Sequence, residues 1–475
     1  MPDTSRQNAS GLRPECLSFP EVLAQSVATI VPTATPSVNI ALVFASAGRG
    51  TWLAYVIATI GLVFVSLNIN QFARRSASPG SLYAYIARGL GSTAGVISGW
   101  AFVLAYLCAA MVMLCTFASY TNVVLGEFGL HVSSIFLYAI CAGIAWYYAY
   151  TDIQLSAVLM LLLELTSVSL ILILAVIVLF RHGFTIDTSQ IFLEGVSSEG
   201  IRLGLVLAVF SYIGFESATA LGDEAKHPLR SIPRAVIWSA VLSGLFFILL
   251  SYTEVLAFSG YKTPLNKTDA PLSVLANLAG VELLGVAISV GMTFSFFAAT
   301  IASINAVARI FFSMARHGIF HPSVGEAHVK NETPHVAINL SIILTFLVPA
   351  SISLFGIPDL DIYAYLRSLG AYGFLLVYIL ISVAAPVYLY RKGRLRPSNV
   401  AIAVLAILFM LVPVVGSVYP VPPFPYNVFP YLFLMYLIVG AGWFLMLRRR
   451  SPQTIENMER DLEAVHSRFG EPELG

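Results

Sequence analysis

Glu216 lies in the run FSYIGFESATALGDEAKHPLRSIPR (210–234), where an apolar segment is interrupted by Gly214 and passes into a basic loop. A second carboxylate, Glu164, falls inside the apolar run 154–180. A carboxylate taken into a bilayer costs several kcal/mol unless it faces a cavity or a partner, so position alone makes both functional candidates. The chemistry open to them is proton carriage or gating, by alternating between charged and neutral forms. Glu216, beside a break, is the better placed. Glu164 reads equally well as a structural acid bonding a neighbouring helix.

A second irregular stretch matches the first. In VPTATPS (31–37), Pro32 and Pro36 lie in the middle of an apolar run. Each removes a backbone donor and disfavours helix in the residue before it. The chain is therefore predicted to break at Thr33, Ala34 and Thr35, with Pro36 opening a restarted half-helix capped by Thr35. The break at Gly214 comes five spans later. Paired breaks in spans one and six are what two inverted five-span repeats produce. Transporters of that kind hold substrate near the midplane, where half-helix N-termini attract anionic groups and unwound carbonyls accept cations or ammonium donors.

The elements that position these residues are membrane spans. Of 475 residues 58% are apolar and 11% charged, and mean hydropathy is +0.83. A soluble domain carries about 25% charged residues, so this is an all-α polytopic membrane protein. Runs long enough to cross a hydrocarbon core of about 30 Å fall near 22–46, 52–72, 93–122, 132–149, 154–180, 203–221, 235–258, 282–313, 336–356, 363–390, 399–418 and 428–447, about twelve in all. With the N-terminus inside, about 20 of the 26 basic residues are inside, among them Arg74, Arg75, Arg88, Arg230, Arg234 and Arg448. Arg49, Arg181, Arg202, Lys262, Lys267 and Arg367 are outside. The positive-inside rule then puts both termini in the cytoplasm of a cytoplasmic (inner) membrane protein. Charges at helical spacing after Arg450 (Glu456, Glu459, Asp461, Glu463) predict a short surface helix in the tail.

Other classes fit poorly. The net charge of +1 gives no sign of a nucleic-acid partner. Cys16, Cys108, Cys115 and Cys141 form neither a disulfide framework nor a CxxC metal pattern. The eight histidines (His131, His182, His227, His317, His321, His328, His335 and His466) sit at span ends or in loops, and no HExxH, GxSxG or Walker motif is present. An embedded enzyme, a metal site and a prosthetic group are therefore not expected, and no cleavable signal peptide is visible.

GFESATALGDEAKHPLRSIPRA (214–235) resembles the sixth-span signature of the amino acid-polyamine-organocation (APC) superfamily, and two further stretches agree. SASPGSLYAYIARGLG (76–91) resembles its loop between the second and third spans. ARIFFSMARHGIFHP (308–322), followed by Thr333 and Pro334, resembles its eighth-span exit. The resemblance covers about 15 to 450 and implies a five-plus-five inverted-repeat (LeuT-like) fold with two extra C-terminal helices. The expected division is a cytoplasmic segment 1–21, a first repeat 22–180, a second repeat 181–398, spans 11 and 12 over 399–447, and a cytoplasmic tail 448–475. It further implies alternating-access transport of an amino acid, with a polyamine or other organic amine as the alternative and a channel or transceptor as a remoter one. Phe210 matches the aromatic that covers substrate from outside, Ile213 and Gly214 the unwound backbone that receives an amino group, and Phe102 and Tyr106 the pocket lining of the third span. Where many relatives have a glycine-rich first break, this chain reads PTATP, so Thr33 and Thr35 hydroxyls replace lost amides or the substrate lacks a carboxylate. The lysine that some proton-coupled relatives carry in the fifth span is absent. Ser167 stands near that place and, with Thr300 or Ser303, suits a small cation such as Na⁺, so a proton or sodium gradient is the expected driving force.

Overall fold

The computed structural model describes residues 10–126, 128–268 and 270–450. The expected tail helix, and the outer parts of both terminal segments, lie outside those residues. Among the described residues sixteen α-helices follow one another: α1 (Phe19–Ile30), α2 (Ile40–Ala47), α3 (Thr51–Ala73), α4 (Ser81–Leu90), α5 (Ser92–Gly126), α6 (Ser134–Thr151), α7 (Ile153–Arg181), α8 (Thr188–Ile191), α9 (Ser198–Val209), α10 (Pro228–Phe258), α11 (Pro271–Leu278), α12 (Glu282–Arg316), α13 (His335–Leu354), α14 (Asp359–Arg391), α15 (Pro397–Gly416) and α16 (Phe429–Arg450). Among the described residues, extended pairing is limited to an isolated parallel bridge between Leu17 and Ala225.

Among the described residues, eleven stretches are long and apolar enough to cross a bilayer. The first, Phe19–Ala73, has 55 residues, where about 20 suffice. Gly48, at φ 52° and ψ −129°, ends α2, and a 3₁₀ turn at Gly48–Gly50 leads into α3. The stretch is thus a broken first segment followed by a full-length second one, and the expected twelve spans each find a counterpart. The 76–91 stretch is not simply a loop, because ten of its residues form α4. At 1.5 Å per residue α4 reaches only about 15 Å, too short to cross. It is almost wholly buried, with Leu82, Tyr83, Tyr85 and Ile86 all inaccessible. α11 is a similar short helix with Pro271 in its first turn.

The core is a helix-on-helix packing in which α5 lies against both α14 and α12, and α3 against α10. Small residues allow the close approach. A Cβ at Gly373 of α14 would stand 2.4 Å from the Ala101 carbonyl oxygen and 2.9 Å from Ala105 Cβ, both on α5. Membrane helices, lacking a hydrophobic drive between them, rely on such small-residue contacts. This contact sets the α14 side chains against the α5 face that carries Phe102 and Tyr106.

Candidate functional site

Both expected breaks are present. α1 ends where Val31 takes a left-handed conformation (φ 54°, ψ 69°), and a π-helical turn at Thr35–Asn39 precedes α2. The interruption is residues 31–33, nearer the N-terminus than the sequence suggested, and Thr35 is not a cap. Ala34 is already helical (φ −65°, ψ −27°), and Thr35 N–H donates to the Pro32 carbonyl at 3.3 Å, so the chain turns from Pro32 onward. The buried Thr35 hydroxyl has no partner among the described residues. The second break follows α9: a 3₁₀ turn at Phe210–Tyr212, an extended Ile213 (φ −51°, ψ 130°), and Gly214 at φ +97°. A Cβ at Gly214 would lie 2.3 Å from Thr29 Cγ2, so the glycine provides both the backbone conformation and the contact between the breaks.

Hydroxyls stitch the two broken segments together. Thr29 and Ser217 hydroxyls are 2.9 Å apart, Ala218 N–H donates to Ser26 Oγ at 2.9 Å, and Gln25 Nε2 donates to the Ala302 carbonyl at 2.7 Å. Glu216, fully buried, accepts from the Tyr106 hydroxyl at 2.7 Å on one oxygen and the Tyr378 hydroxyl at 2.5 Å on the other. Gly214 N–H donates to that same Tyr378 hydroxyl at 3.4 Å. One carboxyl group therefore ties the second break to α5 and α14. Phe102, Tyr106 and Phe374 stack edge to face around it, with centroids 4.9 to 5.8 Å apart.

Glu164 on α7 faces the first break. Ser295 of α12 donates to its Oε1 at 2.6 Å, and Thr33 donates to Ser295 at 2.8 Å. All three residues are buried, and Glu164 Oε2 has no partner among the described residues. The Thr33 hydroxyl is thus spent on Ser295. Ser167, Thr300 and Ser303 do not converge on one cation in this conformation. Ser167 donates to the Gly291 carbonyl at 2.6 Å, whereas Thr300 is nine residues further along α12, about 13.5 Å at helical rise. Thr300 bonds its own helix at the Phe296 carbonyl, as membrane serines and threonines commonly do.

A cavity opens between the breaks. Ala34, Phe210, Ile213, Asn39, Phe374 and Arg367 contribute to its lining. Phe102 and Tyr106 stand behind Phe374 as a second layer and do not line it. Among the described residues Arg367 is the sole charged side chain on the wall. Its Nη1 donates to Asn39 Oδ1 and to the Tyr363 hydroxyl.

A buried ion pair lies beyond the second break. Arg309 and Glu224, at 1% and 0% exposure, form a two-pronged ion pair with both N···O distances at 2.6 Å, and Arg309 Nη1 also donates to the Asn305 carbonyl. Leu17 N–H donates to the Glu224 carbonyl at 2.9 Å and Lys226 N–H to the Leu17 carbonyl at 2.7 Å, pinning the segment before α1 across the chain that follows the second break.

Sequence reasoning passed over Arg367, Tyr378, Ser295 and Glu254. Arg367 and Glu254 did carry a signal, a lone charge inside the apolar runs 363–390 and 235–258. Glu254 is fully buried, and neither oxygen has a partner among the described residues. Tyr378 and Ser295 carried none, being polar residues of a common kind whose partners lie far away in sequence.

A twelve-span helical protein with two interrupted spans around a cavity has the architecture of a membrane transporter. The chain belongs to the family described as amino acid permease, whose model matches residues 17–441. It is similar to the branched-chain amino acid permease BcaP of Bacillus subtilis (strain 168), at 25% identity over 77% of this chain and 80% of the relative. It is also similar to the low-affinity putrescine importer PlaP of Escherichia coli (strain K12), at 27% identity over 60% of this chain and 64% of the relative. Among solved structures, a Na⁺-coupled sialic acid symporter in a substrate-bound outward-open state matches at TM-score 0.56 and 12% identity, covering 88% of this chain and 93% of that one. That last likeness concerns the fold alone.

Proposed function

We propose that this chain is a secondary transporter that moves an amino acid across the cytoplasmic membrane by alternating access, with both termini inside. The five-plus-five division (22–180 and 181–398), with 399–447 as two added spans, is part of the same reading. The observation that carries it is the cavity lined by Ala34 from one break and Phe210 and Ile213 from the other. We read the buried Arg309–Glu224 pair beyond the second break as closing the opposite end. The closed end is where Arg230 and Arg234 cluster, so the positive-inside rule makes this an outward-facing, inward-closed arrangement. A solute would enter beside Phe210 and meet the backbone at Ile213 and Gly214, and opening of the Arg309–Glu224 end would release it to the cytoplasm.

For coupling, Glu164 is better suited than Glu216. Each oxygen of Glu216 already receives a tyrosine hydroxyl. Glu164 keeps one oxygen without a partner among the described residues and connects to the first break through Ser295 and Thr33. A proton gained or lost at Glu164 changes what Ser295 bonds to, and so what holds Thr33. Sodium remains the alternative ion. A polyamine or other organic amine is the second substrate reading, motivated by the putrescine-importing relative. A thermal-shift screen of the purified protein against amino acids and their decarboxylated amines tests the substrate class, since a ligand at 100 times its dissociation constant adds about 2.7 kcal/mol. Stabilisation by amines alone would reject the amino acid reading.

A further inference from the structure

We propose that Arg367 is the carboxylate-recognising residue of the cavity and that, with Asn39 presenting it, it selects carboxylate-bearing solutes over diamines; this rests on the amino acid reading above. Three observations lead there. First, the first break offers a carboxylate few donors. Pro32 and Pro36 have no N–H, Thr35 N–H is bonded to the Pro32 carbonyl, the Thr33 hydroxyl is committed to Ser295, and the unpartnered Thr35 hydroxyl does not line the cavity. Second, Arg367 lines the cavity and has no ion-pair partner among the described residues. The hydrogen bonds from Nη1 to Asn39 and Tyr363 fix its guanidinium without neutralising it. Third, apart from Thr29, Asn39, Cys108, Ser211 and Tyr363 the uncharged wall is apolar, with Ala105, Ala109, Val112 and Phe374, so a charge brought in from water is screened less than at the surface.

An arginine held in this way has a rigid fork that matches a carboxylate's two oxygens. The same positive charge repels a solute with an ammonium group at each end. A zwitterion instead aligns with the site, its carboxylate at Arg367 on α14 and its ammonium toward the unwound backbone at Ile213, which lines the same cavity. Asn39 is a neutral acceptor, so it orients the guanidinium and leaves its charge to the ligand. An aspartate there would capture the arginine internally.

Two matched pairs serve as probes: L-leucine with 3-methylbutylamine, and L-ornithine with putrescine. Binding of all four is measured in wild type, Arg367→Gln, Arg367→Lys and Asn39→Asp, with melting temperature as the control for folding. The wild type is expected to prefer an acid over its amine. Arg367→Gln should lower acid affinity by about 10- to 150-fold, the loss of a hydrogen bond to a charged group, and leave amine affinity unchanged or improved. Arg367→Lys should recover part of the loss. Asn39→Asp keeps the arginine yet should also weaken the acids, so the inference stays open to refutation if Arg367→Gln does not fold. A wild type that prefers acids, with folded variants that keep the preference, overturns the role of Arg367 alone. A wild type that binds amines and ignores acids overturns it together with the amino acid reading.

Discussion

Removing Glu224 should damage this protein more than removing any exposed acid. Its partner Arg309 is 1% exposed and directs two guanidinium nitrogens to the Glu224 carboxylate and a third to the Asn305 carbonyl. In Glu224→Gln the cation stays buried while its counter-charge is lost. Breaking a buried pair from one side costs about 3–5 kcal/mol, because the remaining ion is left uncompensated. Total stability is only about 5–15 kcal/mol, so the loss is large. Replacing both members with methionine removes both desolvation penalties, and its effect should be much smaller than the sum of Glu224→Met and Arg309→Met. A double-mutant cycle by denaturation of the detergent-purified protein measures the difference as a coupling energy. Single losses below about 1 kcal/mol, the range of exposed pairs, that add in the double variant would refute the idea that this pair seals its end of the molecule.

Four further outcomes are expected. Burial, reinforced by the negative charge of Glu224, pushes the Cys16 thiol up to about 12; at pH 7.5 roughly one molecule in 10⁴ or fewer carries the reactive thiolate, so maleimide labelling should be slow in wild type and faster in Glu224→Gln, and equal rates would contradict this. Glu164→Gln should retain substrate binding and lose stimulation of uptake by an imposed proton gradient, which transport assays in proteoliposomes detect directly. Tyr378→Phe should lower stability by about 1.5–3 kcal/mol and more than Tyr106→Phe, because the Tyr378 hydroxyl serves both Glu216 and Gly214 N–H; equal effects in unfolding experiments would count against the shared contact. Gly214→Ala should abolish uptake through both its φ of +97° and its clash with Thr29 Cγ2, and adding Thr29→Ser, which deletes that methyl, should restore melting temperature only in part, since about 1–3 kcal/mol of backbone strain persists.

How far the sequence could be read depended on whether a feature had a local cause. The spans followed from length and hydropathy, and both breaks from prolines and a glycine whose effects on the backbone are local. Glu216 and Glu164 stood out because a carboxylate in an apolar run is conspicuous. The exact position of the first break was not legible: it depends on Val31 adopting a left-handed conformation and on the turn that starts at Pro32. The α4 helix escaped because its hydrophobic face is short and ten residues fall below the length of a span. Ser167, bonded to the Gly291 carbonyl, and Thr300, nine residues further along α12, do not meet in this conformation, a separation that hydropathy and residue type do not disclose. The hydrogen-bond partners of the two acids came from 110 to 162 residues away, and no local pattern specifies pairings at that separation.

Counterflow in proteoliposomes tests the transporter reading most directly. Vesicles holding the purified protein are loaded with unlabelled L-leucine or L-ornithine and diluted into a trace of the same labelled amino acid, with matched amines run alongside. Alternating access predicts that labelled amino acid accumulates transiently above its outside concentration, because unlabelled solute on the inner side occupies the inward-facing site, carries it back outward and competes with the label for exit. Label that merely equilibrates would identify a channel, and accumulation of the amines without the amino acids would contradict the proposed substrate.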